Sequence, residues 1–231
     1  MTAEMVVKRS PAEGGRVIEM QYSGKDIRIP LLYPPRSGAI YVRFILDTKW
    51  GWNRRIYFHG KKSNPFFLPC WDSAECPVCR RRPDVHLPVI SKYERLEVKF
   101  CYAWIYQYEG KDSYLRNYIN KLVVLCSLYN DFPSLFFEDI DEFTMANDDL
   151  FYDFYDHKKS SCPLRIEIFD ENKFKGHYKI TFHEEHKEQS FQFPDNFPPL
   201  SKLFFEYMEE PKKKDLVQYL KNMKRPSHGM F

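Results

Sequence analysis

Apolar and polar positions divide the chain into segments of different character. Residues 1–25 are polar, carry Gly14 and Gly15 and show no clear period, which reads as an arm or a first loose strand. From Ile27 to about Tyr57 the pattern is that of strands: IRIPLLY, AIYVRFIL and RRIYF, with β-branched and aromatic residues in short runs and Arg43 set among them. Pro34-Pro35 and Ser37-Gly38 punctuate the first two runs as turns. Residues 93–108, YERLEVKFCYAWIYQY, return to a strand pattern with imperfect alternation and an aromatic end. Residues 114–130 fit a helix: Leu115, Tyr118, Ile119, Leu122 and Leu125 or Cys126 follow the i, i+3, i+4, i+7 spacing. The segments 163–169 and 177–182 predict a hairpin around Glu171-Asn172-Lys173.

Between these segments lie stretches without periodicity. Residues 59–90 hold three cysteines, five prolines and the triplet Arg80-Arg81-Arg82, and read as a loop-rich insertion. Residues 131–156 are acidic, with no lysine or arginine. A proline-rich connector, FPDNFPPL at 193–200, precedes a short basic amphipathic helix at 215–225 and a frayed tail. There is no internal repeat. The expected organisation is an arm at 1–25, a core at 26–192 with the insertion at about 59–90, and a connector with a basic helix at 193–231.

Composition narrows the class. The chain has 231 residues, 43% hydrophobic and 29% charged, with a mean hydropathy of −0.57. No run approaches the ~18 apolar residues of a membrane span, and the first residues have no apolar stretch of secretory-signal length. The expectation is a soluble protein that is neither secreted nor membrane-bound. Aromatic residues make up 17% while glycine numbers only 9. Such a balance points to a β-rich core, to exposed stacking surfaces, or to both. Net charge is only +3, so any affinity for a polyanion must come from uneven placement of charge.

Two constellations carry candidate chemistry. Cys70, Cys76 and Cys79 fall within ten residues, and Cys76-Pro77-Val78-Cys79 has the form of a metal knuckle, in which a short turn aims two thiolates at one ion. With one histidine this makes a Cys3His tetrahedron suited to structural Zn2+, with no open position for catalysis. Spacing leaves the histidine open between His59, at a strand end, and His86, in a loop. A disulfide or redox pair fits less well, because the expected compartment is reducing and the proline-rich context is not a βα junction. Cys101, Cys126 and Cys162 sit in apolar surroundings and read as core thiols.

The second constellation is basic and aromatic. Between residues 41 and 108 cations exceed anions by six, and all four tryptophans lie in this window. Arg43, Trp50, Trp52, Arg54, Arg55, Tyr57, Lys61, Lys62, Arg80, Arg81, Arg82, Tyr93, Lys99, Tyr102, Trp104 and Tyr106 are the candidate nucleic-acid-binding residues. Arginine and lysine meet phosphates, and flat rings accept unstacked bases regardless of their identity. The competing reading is ordinary burial of these rings in a β core, with the charges on solvated faces.

Taken together, strands, then a histidine, then HGKKSNPFFLPCWDSAECPVCRRR, then YERLEVKFCYAWIYQY resemble the single-stranded DNA-binding proteins of the T-even phages over about residues 28–182. The resemblance implies an α+β, β-rich fold: an OB-like five-stranded barrel with a zinc-bearing insertion and additional helices. It implies His59, Cys70, Cys76 and Cys79 as the zinc ligands. It further implies sequence-independent coating and protection of single-stranded DNA in viral replication, recombination and repair, in the cytoplasm of a bacterial host. Replication or recombination proteins are implied as partners, with self-association on DNA. The chain departs from that family at both ends. Its arm is mixed, with Lys8, Arg9 and Arg16, and its C-terminus, ending His228-Gly229-Met230-Phe231, is basic where the family is acidic. The acidic stretch 131–156 is a candidate for that missing electrostatic role. Two other functions compete. One is a zinc-stabilised adaptor for a replication or transcription protein, with the aromatics as its anchors. The other is an enzyme built on His177, His183, Glu184, Glu185 and His186; HEEHKE lacks the i, i+4 histidines of a metalloprotease helix, so no catalytic residue is expected.

Overall fold

One long strand organises the protein, and the rest of the sheet is built on its two edges. The computed structural model describes residues 6–10, 15–35, 37–45, 53–61, 64–70, 94–111, 113–128, 136–147, 163–168, 178–183 and 197–198. The organising strand is β7 (Glu94–Glu109). Its central residues are apolar on both sides: Val98, Phe100 and Tyr102 are buried on one face, Cys101, Ala103 and Ile105 on the other. A strand covered on both faces needs apolar residues at nearly every position, which accounts for the imperfect alternation of its sequence.

Along one edge of β7, β8 (Lys121–Leu128) pairs antiparallel from Val98 to Ile105. The other edge is shared end to end by two strands, both antiparallel to it. β4 (Ala39–Ile45) takes Tyr102 to Glu109, and β5 (Arg54–Lys61) takes Glu94 to Phe100. Beyond β8 lie β3 (Lys25–Leu32), which pairs with it in parallel, then β2 (Gly15–Tyr22) and β1 (Val6–Ser10). Beyond β4 lie β9 (Leu164–Ile168) and β10 (Tyr178–Phe182), while β6 (Asn64–Pro69) pairs with β5. The product is a ten-stranded mixed sheet whose pairing path runs open from β1 to β10. The pairings among the described residues do not close it into a five-stranded barrel. Among the described residues the fold is β-rich with few helices, in keeping with the α+β expectation.

Two cores occupy the two faces. The first face gathers Val42, Phe44, Ala103, Val123, Leu125 and Ile166 under helix α2 (Phe136–Ala146), which buries Phe136, Phe137 and Ile140. Phe136 meets Phe44, Phe137 and Tyr178 edge-on, with centroids 6.3, 5.4 and 5.2 Å away. Aromatic quadrupoles favour this geometry over flat stacking. The second face gathers Ile18, Met20, Ile29, Leu31, Phe100, Tyr102 and Val124. Among the described residues, no helix is long and apolar enough to cross a membrane.

Three sequence expectations change. The helix predicted at 114–130 shrinks to α1 (Ser113–Arg116), followed by turns and then β8. Asn120 takes a left-handed φ of 58° and its N–H donates to Ile105 O at 2.7 Å, which ends the helical path and starts the strand. The i, i+3, i+4 spacing was a coincidence of a strand buried on both faces, where Leu122 to Cys126 are all apolar. Residues 15–22, read as an arm or a loose strand, are β2, paired with β3 through seven positions and burying Val17, Ile18 and Met20. The two-residue turn between them has Ser23 at φ 51° and Gly24 at φ 76°, the paired left-handed conformations of a type I′ hairpin turn. The acidic stretch contains α2, whose Glu138 pairs with Lys99 of β7 and whose Asp139 accepts from the Tyr178 N–H of β10. The hairpin expected at 163–182 is present as β9 and β10.

Candidate nucleic-acid interface

The antiparallel register of β4 on β7 sets Arg43 directly across from Trp104 on the second face. One step further the ladder carries a bulge. Val42 faces Ile105 but Tyr41 faces Gln107, so Tyr106 is the extra residue. A bulge of this kind sets two residues of one strand against one of the other. Tyr106 thereby joins Tyr41 and Ala39 in a small cluster, with Trp104 packed at its side. Arg43 is only 3% exposed and is the hydrogen-bond partner of the Tyr106 hydroxyl. Burial raises the Tyr106 pKa above the ordinary phenol value, and Arg43 partly offsets that rise.

On the far side of β4, register sets Arg165 of β9 opposite Tyr41. Arg165 Nε donates to Tyr41 Oη at 3.1 Å, and the guanidinium carbon lies 5.8 Å from the Tyr41 ring centre. Arg165 Nη1 donates to Glu167 Oε2 at 2.5 Å, so the guanidinium holds that carboxyl below the usual range. His183 packs edge-on against the Tyr41 ring, with centroids 4.5 Å apart. Burial raises the Tyr41 pKa, with Arg165 opposing. The result is a continuous block on β7, β4 and β9: rings of Trp104, Tyr106 and Tyr41 alternating with guanidiniums of Arg43 and Arg165. Of these, Trp104 and Arg165 reach solvent.

Other residues expected to contact nucleic acid fall on the opposite face. Arg55 and Tyr57 of β5 stand across from Lys99 and Glu97 of β7, on the side covered by α2. Each described cation there has a carboxylate: Arg55 Nε lies 3.0 Å from Glu97 Oε1, and Lys99 Nζ lies 2.6 Å from Glu138 Oε1. Tyr57 hydrogen-bonds Arg55, and with Glu97 it raises the arginine's pKa. Asn53 donates to Asp141 at 3.3 Å. Tyr102 belongs to the core of the second face. It is 1% exposed, its hydroxyl donates to Pro198 O at 2.9 Å, and its ring meets Phe197 edge-on. Tyr102 therefore presents no face to a base, and Tyr106, 6% exposed, presents very little.

The metal constellation is described at two positions. Cys70 is buried, and its N–H donates to Tyr57 O at 2.8 Å, extending the β5–β6 ladder by one step. His59 pairs with Leu68 in that ladder, so positions 59 and 70 are diagonal neighbours, about 7–8 Å apart in a typical antiparallel pair. Cys76, Cys79 and His86 lie outside the described residues, as do Trp50, Trp52, Lys62, Arg80, Arg81, Arg82 and Tyr93. Arg54 and Lys61 are placed by backbone alone, Arg54 opposite Phe100 and Lys61 opposite Asn64. Cys101 and Cys126 are buried thiols on adjacent strands. Burial raises both, Cys101 well above its ordinary value and Cys126 to about 12.

The sequence did not mark Gln107, Arg165 or Glu167 as site residues, and it marked His183 only for the competing enzymatic function. The alternation of Leu164-Arg165-Ile166-Glu167-Ile168 does put Arg165 and Glu167 on one face. That the face adjoins Tyr41 follows only from strand order. Comparison of the chain with protein-family models, with curated proteins and with solved structures finds no match to any of them.

Proposed function

We propose that this chain binds single-stranded DNA without sequence preference, along the second face of β7, β4 and β9, and does no bond chemistry. The observation that carries the reading is the block in which Trp104, Tyr106 and Tyr41 alternate with Arg43 and Arg165 across three hydrogen-bonded strands. Solvent-reaching Trp104 offers a base a face, and Arg165 offers a phosphate a charge. The buried Arg43 and the two tyrosines hold these groups in place, so little is left to order on binding. An OB-like core belongs to this reading. OB-folds are partly open Greek-key barrels, and the mixed sheet, with β3 parallel to β8 and the other described pairs antiparallel, is compatible with one. Coating of DNA in viral replication, recombination and repair inside a bacterial cell is the setting the reading implies.

Zinc belongs to the same proposal. Buried Cys70, tied into the ladder two positions from His59, fits a Cys3His site of His59, Cys70, Cys76 and Cys79. The register supports His59 over His86, because a strand position fixed next to Cys70 needs no loop to reach it. A bound zinc would supply a structural cross-link between the β5–β6 pair and the cysteine knuckle, and no catalysis. A stoichiometric metal, and a melting temperature that falls on chelation, are the expected results; a metal-free chain of unchanged stability would remove zinc from the proposal.

The test of binding is titration with oligo(dT), followed by tryptophan fluorescence at two salt concentrations. Quenching with a steep salt dependence is expected. Trp104→Ala should lose about 1–3 kcal/mol, roughly fivefold to 150-fold in affinity, and Trp104→Phe should keep most of it. A folded chain that ignores oligo(dT) in dilute buffer would overturn the proposal and leave the adaptor function.

A further inference from the structure

We infer that Arg165 is a phosphate contact of this site, and that Glu167 occupies it when nucleic acid is absent. The inference rests on the single-strand-binding reading above and deepens it. Register sets Thr181 of β10 across from Arg165 and Lys179 across from Glu167, so β9 and β10 continue the polar side of the face that Trp104 begins. His183 follows on the same strand, against Tyr41. The Arg165 side chain is 26% exposed and that of Glu167 is 38% exposed, so the pair lies at the surface where a ligand can reach it.

The geometry separates what is fixed from what is exchangeable. Tyr41 is buried, and its hydroxyl accepts from Arg165 Nε, which aims the guanidinium. Glu167 is the exchangeable partner: a half-exposed carboxylate whose two oxygens match the planar fork much as phosphate oxygens do. The fork has five N–H donors, more than these two contacts use. When a phosphate takes the Glu167 position, the released carboxylate has the exposed Lys179 across the ladder, so no charge is stranded.

Three single variants of the full chain, each checked for an unchanged melting transition, test this against oligo(dT). Arg165→Gln should weaken binding at low salt and lower the slope of log K against log salt by about 0.7, the value for one phosphate on a single strand. Glu167→Gln should tighten binding, because it removes the competing carboxylate while leaving Arg165 aimed by Tyr41. Lys179→Gln removes the cation that receives the released carboxylate, so it should weaken binding at low salt, by less than Arg165→Gln does. An unchanged slope in Arg165→Gln, or weaker binding in Glu167→Gln, overturns the inference; if Trp104→Ala still loses affinity, the single-strand reading survives it. Should Arg165→Gln fail to fold, Glu167→Gln alone decides by the sign of its effect. A wild-type chain that binds no oligo(dT) overturns both.

Discussion

Replacing Gly38 by alanine will cost far more than replacing Gly24, although both glycines hold left-handed backbone. Gly24 has φ +76° and Gly38 has φ +70°. A side chain in that region costs about 1–2 kcal/mol, reduced by the 0.4–1 kcal/mol that alanine takes from the freedom of the unfolded chain. At Gly24 nothing lies within 4 Å of the added Cβ, so Gly24→Ala should lose roughly 1 kcal/mol. At Gly38 the same atom would overlap the carbonyl oxygen of Glu109, and would lie 2.6 Å from its carbonyl carbon and 2.7 Å from Gly110 Cα. All three are backbone atoms, so no side chain can swing away. The start of β4 must lift off the end of β7, against the Tyr108 hydroxyl that donates to Ser37 O at 3.0 Å. Overpacking of this kind adds ~1–3 kcal/mol or more. The two variants should therefore differ by about 2 kcal/mol, which is roughly 4–8 °C in Tm for a chain of this length. Urea unfolding followed by tryptophan fluorescence and by circular dichroism measures both. Gly38→Ala should also weaken oligo(dT) binding, because Ala39 and Tyr41 move with β4, while Gly24→Ala should not. Equal stabilities for the two variants, to within about 0.5 kcal/mol, would refute the close approach of β4 and β7 at this point.

Two further outcomes follow from the cores. Phe136→Ala removes a fully buried ring that meets three others and should cost about 3–5 kcal/mol, seen as a fall in Tm of roughly 10 °C; a loss under ~1 kcal/mol would mean that α2 does not seat on the first face. The Cys126 thiol is pushed up to about 12 by burial, whereas an unfolded thiol ionises near 8.5. Above that pH the unfolded chain releases a proton that the folded chain keeps, so the stability tied to this group is complete below about 8.5 and is lost as pH climbs toward 12. Cys126→Ala should flatten the decline measured by urea unfolding between pH 9 and 11, and equal declines in the two proteins would show that the thiol is not buried in the fold.

Much of the strand content could be read directly. AIYVRFIL, RRIYF, the 93–108 run and the 163–182 hairpin announce themselves by β-branched and aromatic residues in short runs between turn signals. The misread segment, 114–130, shows where pattern stops being informative. A central strand has no solvent side, so its apolar residues keep no period of two, and any spacing, including a helical one, can be found among them. The candidate site was half legible for a related reason. Trp104, Arg43 and Tyr106 stood out as cations and rings close together in sequence, but so did Tyr102, Arg55 and Lys99. Residue type cannot distinguish the ring that fills a core from the ring that borders it.

Local chemistry along the chain settled which segments extend, where turns fall, and which residues can carry charge, stacking or a metal, because these are properties of side chains and of one or two φ angles. Face and neighbourhood were settled only by pairing. Strand order brought Arg165 to Tyr41 from 124 residues away, and the bulge at Tyr106 reversed the parity beyond it, sending Tyr108 into the core of the first face. Parity sent Lys99 to α2 and Trp104 to the opposite face. A shift of a single residue in any ladder reverses every such assignment, and the interactions that prevent the shift are long-range contacts of the two cores.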